Sequence, residues 1–142
     1  MTNTTFIDAE TLAAYRETEY RVGGEQSFVL RVGQHCPPLL SAHRQYGASS
    51  SAFITACNPL SQALSEADNA KREDRLAAEL RARRLVFHPG IGQHPSNFWP
   101  GEPSFLIFGL SLEAAKALGN KFDQNAIVWA GEDGVPQLIL LR

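Results

Sequence analysis

Hydrophobic and polar positions alternate with period two in two short segments near the start of the chain: Tyr20 and Val22 within Glu19 to Val22, and Phe28, Leu30 and Val32 within Phe28 to Val32. Side chains of a strand point to opposite faces in turn, so these segments, separated by Gly23-Gly24, predict a β-hairpin. Ahead of them, Asp8 to Glu19 carries Leu12, Ala13, Tyr15 and Arg16 without a helix breaker, which predicts a short helix capped by Asp8. The strongest helical pattern runs from Ser65 to Arg84. Leu76 and Leu80 stand four apart there with Ala70 and Ala77, and the polar face carries Asn69, Arg72 and Glu73. Ser111 is placed to cap a second helix whose apolar side is Ala115, Leu118 and Phe122.

Apolar runs around Phe53 and at Leu85 to Phe87, Phe105 to Phe108, Ala126 to Trp129 and Gln137 to Leu141 read as strands. Gln34 to Ser51, with Pro37-Pro38 and Gly47, reads as a connector, and His88 to Pro95 as a loop. From Phe53 onward the order is strand, helix, strand, strand, helix, strand, strand. The first six elements have the split β-α-β order of a ferredoxin-like sandwich. The expected fold is therefore α+β: a ferredoxin-like split β-α-β sandwich with a mainly antiparallel sheet, extended by the N-terminal hairpin and a C-terminal strand. One domain is expected over residues 1–142, with residues 1–7 poorly ordered.

Composition narrows the function classes. With 142 residues, 44% hydrophobic and 20% charged, the chain matches an ordinary folded domain able to bury one core. A net charge of −2 provides no general attraction to nucleic acid or to an anionic membrane. The basic cluster Arg81, Arg83 and Arg84 falls at a predicted helix C-terminus, which cations favour for the helix dipole alone, so nucleic acid is not an expected partner. No run approaches the roughly 18 apolar residues of a spanning helix, and the N-terminal residues lack the pattern of a signal peptide, so a cytoplasmic protein is expected. Cys36 and Cys57 lack a CxxC spacing and are read as free thiols.

Candidate chemistry gathers where apolar runs end. Ser51-Ala52-Phe53-Ile54-Thr55-Ala56-Cys57-Asn58-Pro59 is a strand that stops in polar residues, and Pro59 prevents the ladder from continuing. If the Phe105 strand runs antiparallel beside it, Glu102 at the start of one lies next to Asn58 at the end of the other. Asn69 and Arg72 share one helix face and can look toward the same region. Each residue also has a purely structural reading. Asn58-Pro59 can start a turn, Thr55 is a normal strand residue, and Asn69 can cap a helix that begins at residue 70. Arg72 can pair with Asp68, Glu102 can be a surface loop residue, and Gln124-Asn125 can close a helix C-terminus.

Phe53-Ile54-Thr55-Ala56-x-Asn58-Pro59, Asn69 after it, Trp99-Pro100-x-Glu102-x-Ser104-Phe105 and Gln124-Asn125-Ala126 occur in this order, and together they resemble the bacterial family catalogued as domain of unknown function 3293. The resemblance runs from about residue 12 to the C-terminus. The position between Ala56 and Asn58, commonly aromatic in that family, is Cys57 here, so a stacking role does not carry over. The resemblance implies no activity, and mechanism has to come from the residues.

Two functional readings follow, with a third beside them. In the first, Thr55, Asn58, Asn69, Arg72, Glu102, Gln124 and Asn125 form a pocket at the sheet end for a small polar or anionic molecule, with Trp99 as an aromatic wall. In the second, the protein is a hydrolase or transferase with Glu102 as general base, Asn58 orienting the substrate and Arg72 neutralising an anionic group. The third is a protein-interaction domain using an exposed sheet edge. His88 and His94 lack a third ligand, so no metal site is expected; Gly90-x-Gly92 lacks the setting of a dinucleotide loop, and no cofactor or oligomeric state is indicated.

Overall fold

A computed structural model describes residues 7–24, 27–96 and 100–142. Among these, seven strands form one sheet, each pair of neighbours antiparallel, with four α-helices packed on it. The elements in order are α1 (Ala9–Glu17), β1 (Glu19–Val22), β2 (Phe28–Leu30), α2 (Pro37–Gln45), β3 (Ser51–Ile54), a 3-10 turn (Pro59–Ser61), α3 (Glu66–Ala82), β4 (Phe87–Gln93), β5 (Glu102–Phe108), α4 (Leu112–Lys121), β6 (Ala126–Ala130) and β7 (Gln137–Leu140). The strand order is β2-β1-β4-β5-β3-β6-β7. The chain is thus α+β, and none of the described helices is long and apolar enough to cross a membrane.

Strand alternation divides the core between the two faces of the sheet. Ala52, Ile54, Ile107 and Ile127 meet α3 and α4 through Leu76, Leu80, Ala115, Leu118 and Phe122, all buried. Full burial of a leucine stabilises by about 1.5–3 kcal/mol, so Leu76 and Leu80 anchor α3. Phe53, Leu106, Phe108 and Val128 point the other way, toward Val22 and Leu30 of the hairpin and Leu39 of α2. Helix α1, capped by Asp8, whose Oδ1 accepts from the Thr11 amide at 2.7 Å, lies over this second face. Ile7, at the boundary of the expected N-terminal tail, is buried.

Three expectations are corrected. The segment read as a connector contains α2. Pro37 and Pro38 occupy its first turn, where a missing N–H costs no helical hydrogen bond, so the prolines start this helix rather than prevent one. His43 enters the core from it with Nε2 2.8 Å from Ser51 Oγ, and burial holds the imidazole below its usual pKa. Second, the loop read over His88 to Pro95 is mostly strand: β4 continues to Gln93, bonded to β1 on one side and β5 on the other. The Pro89 carbonyl accepts from the Gly23 amide at 2.8 Å. Gly90 is needed for close approach, since a Cβ there would lie 2.5 Å from the Arg21 carbonyl oxygen and 2.8 Å from the Phe53 ring. Third, β5 begins at Glu102, which pairs with Gly92 and is a strand residue, not a loop residue.

Candidate functional site

The ladder of β3 ends at Ile54, while the chain stays close to the sheet for four more residues. Backbone groups that leave a ladder in a buried place need other partners. Helix α3 supplies them. Glu73 Oε1 accepts from the Ala56 amide at 2.6 Å and from Thr55 Oγ1 at 3.1 Å, while the Arg72 guanidinium donates to the carbonyls of Ala56 and Phe122. Asn69 Oδ1 accepts from the Asn58 amide at 2.9 Å and its Nδ2 donates to Asn58 Oδ1 at 2.8 Å. Residues 69, 72 and 73 of one helix face therefore grip residues 55 to 58 in turn.

Asn58 is the centre of this arrangement. It lies in the left-handed region with φ 47°, which asparagine tolerates better than most residues, and Leu60 (φ 55°) and Ser61 (φ 58°) follow it there. Asn58 Oδ1 also accepts from the Leu64 amide at 3.0 Å, closing the loop on itself. Asn58 Nδ2 donates to Glu102 Oε2 at 2.6 Å. The side chain is 9% exposed with its acceptor and donor both engaged, so it holds the loop and aims a carboxylate.

Glu102 lines a cleft of about 290 Å³ between α1 and the sheet. Its floor comes from Phe53, Val128 and Leu138, and its far wall from Ala14 and Tyr15 of α1; Thr55, Asn58, Ser61, His94, Ser104 and Gln124 stand around it. Tyr20 and Phe53 meet edge to face with ring centroids 5.4 Å apart. The Tyr20 hydroxyl donates to the Tyr15 carbonyl at 2.6 Å, and burial pushes its pKa up. At the cleft's end Tyr15 and Ser61 hydroxyls are hydrogen-bonded, and Asn125 Nδ2 donates to Ser61 Oγ at 3.0 Å. His94 Nε2 lies 2.8 Å from Glu17 Oε2.

The residues singled out from the sequence thus separate into groups. Thr55, Asn58, Glu102 and Gln124 line the cleft. Gln124 also seals the helix end, its Nε2 donating to the carbonyls of Cys57 and Phe122, both at 3.1 Å. Asn125 reaches the cleft's edge through Ser61. Asn69 and Arg72 stand behind the loop. Arg72 has turned from Asp68, one helical turn earlier, to backbone carbonyls and to Asp123, 3.9 Å away. Asn69 is no cap, because α3 starts at Glu66 with Ser65 accepting from the Asp68 amide. Trp99 lies outside the described residues.

Glu73, Tyr15, Tyr20 and Ser61 were not singled out as site residues. The signal for Glu73 was its place on the polar face shared by Asn69 and Arg72; burial pushes its carboxyl up to about 7, against the hydrogen bonds from Ala56 and Thr55 that favour its charged form. No comparable signal marks Tyr15, whose neighbours in the cleft come from six strands and the 3-10 turn. Cys57 is buried behind the loop, and desolvation pushes its thiol up to about 12, leaving it protonated and inert near neutral pH.

A family model described as protein of unknown function (DUF3293) matches residues 54–127, the stretch that carries the Asn58 loop, α3, Glu102 and Gln124. No curated protein and no solved structure matches the chain.

Proposed function

The chain belongs to the DUF3293 family of proteins of unknown function; membership brings no activity with it, and from the cleft itself we propose that this protein binds a small molecule between α1 and the sheet. The carrying observation is the cleft's construction: an apolar floor of Phe53, Val128 and Leu138 beside the Glu102 carboxylate, which Asn58 holds in orientation. Ligand sites combine these features, an apolar lining with few oriented polar groups. At about 290 Å³ the volume is at the lower end of such sites, which fits a metabolite-sized occupant. The anionic ligand of the sequence reading loses its support, because Arg72 faces backbone carbonyls behind the loop.

Recognition is favoured over catalysis by how the remaining groups are used. The Ser61 hydroxyl is held by Tyr15 and Asn125, and the Ser104 hydroxyl donates to the Glu102 carbonyl at 2.9 Å, so neither is poised as a nucleophile beside a base. We also read β3 to β6 with α3 and α4 as a ferredoxin-like split β-α-β sandwich, a reading supported by the order β4-β5-β3-β6.

The test is a fragment screen by two-dimensional NMR on the whole chain. Binding fragments should shift the amides of Ala14, Gly92, Ser104 and Leu138 together, and Ala14→Trp, which fills the cleft from the α1 side, should remove those shifts while the thermal midpoint is retained. Shifts scattered outside this group, or undiminished in the variant, would overturn the proposal.

A further inference from the structure

Resting on that binding reading, we infer that Gln124 is the specificity-determining residue of the cleft and that the occupant meets it with a hydrogen-bond donor, an N–H or O–H carried on an apolar body. The Gln124 amide is used on one side only. Its Nε2 donates to the carbonyls of Cys57 and Phe122, neither of which lines the cleft, and these two bonds fix which end of the amide is nitrogen and which is oxygen. Its Oε1 accepts from no described residue. The side chain is 6% exposed, yet among the described residues no buried side-chain nitrogen or oxygen lacks a partner, so Oε1 touches open space, and the space that Gln124 borders is the cleft. An acceptor so nearly enclosed selects for an occupant that donates to it, because one that cannot leaves it unpaired. Hydroxyls around the cleft lean the same way. Tyr20 donates to the Tyr15 carbonyl, Thr18 Oγ1 to the Ala14 carbonyl at 2.6 Å and Ser104 Oγ to the Glu102 carbonyl, so these three spend their protons on backbone and can only accept from an occupant. The rings of Tyr20 and Phe53 and the apolar floor take the rest of the molecule.

Pairs of probes alike in size and shape isolate the donor: indole against benzofuran for N–H, and phenol against fluorobenzene for O–H, each titrated into the whole chain with cleft amide shifts as the readout. In at least one pair the donor should bind about tenfold more tightly than its partner. Gln124→Met, close in size but without the acceptor, should bring that ratio to about one while the partner's own affinity changes little. A purely structural role for Gln124 would instead weaken both members of the pair together and leave their ratio as it is. The native protein supplies a second measurement that needs no variant: with ring currents matched within a pair, the Gln124 side-chain amide signal should move further with the donor than with its partner. Equal binding within both pairs at the cleft amides, or a donor preference that persists in Gln124→Met, would overturn the assignment while leaving the binding site in place. If no probe shifts any cleft amide, both the assignment and the binding reading fall.

Discussion

Asn58 Nδ2 donates to Glu102 Oε2 across 2.6 Å, joining the loop that leaves β3 to the first residue of β5. The contact exists because β3 and β5 are antiparallel neighbours, with Ile54 opposite Phe105, so the end of one lies beside the start of the other. It ties the left-handed Asn58 loop to the cleft wall, and each end of the link is open to test.

Replacing Asn58 separates its backbone role from its side-chain role. Asn58→Gly accepts the left-handed conformation but loses the bonds to Leu64, Asn69 and Glu102, and should cost about 1–3 kcal/mol. Asn58→Ala loses the same bonds and also pays the left-handed cost, about 1–2 kcal/mol more. Urea unfolding of both variants measures the difference; equal stabilities would show that the backbone conformation carries no strain.

Glu73 gives stability a pH dependence of a definite sign. Burial raises its carboxyl in the folded protein to about 7, above the ordinary 4.5, so the folded state holds this proton more tightly than the unfolded chain does. Its contribution is full below about pH 4.5 and is lost as pH rises toward 7. Glu73→Gln should therefore match the native protein at low pH and exceed it at pH 8 by roughly 3 kcal/mol, from ~1.4 kcal/mol per pH unit. Thermal unfolding of both proteins from pH 4 to 8 checks this, and parallel profiles would refute it.

At Gly90 the constraint is space. A methyl group would press on both the Arg21 carbonyl and the Phe53 ring, so Gly90→Ala should destabilise by about 1–3 kcal/mol. Adding Phe53→Leu should not restore the loss, because the Arg21 carbonyl is backbone and stays where it is. Full recovery in the double variant would show that the ring alone sets the limit.

The two thiols should be silent in the folded protein. Cys57 is 1% exposed with its thiol pushed up to about 12, and Cys36 is buried and shifted in the same direction by desolvation. Ellman's reagent at pH 8 should label both only at the rate of unfolding and promptly in denaturant. Rapid labelling of one equivalent in native buffer would contradict this placement.

Local pattern was enough to place most elements. Period-two alternation located the hairpin, Leu76 and Leu80 four apart located α3, and Ser111 as cap with Ala115, Leu118 and Phe122 located α4, because these signals depend only on near neighbours in the chain. The sequence also brought Asn58 and Glu102 into view, on the condition that their strands lie side by side and antiparallel, a pairing that packing supplies. Tertiary structure decided the rest. Pro37-Pro38 and the glycines of β4 look like breakers locally, yet the first sit where a helix needs no N–H and Gly90 sits where a crossing ring and carbonyl leave no room for a side chain. Arg72 and Glu73 look like solvated helix charges until the end of β3 places the N–H and C=O of Ala56 against them. The cleft was beyond reach of the chain's local pattern for the same reason: its walls come from α1, β1 and all of β3 to β7, and which side chains share a space is fixed by packing between distant segments, not by the spacing of residues within one.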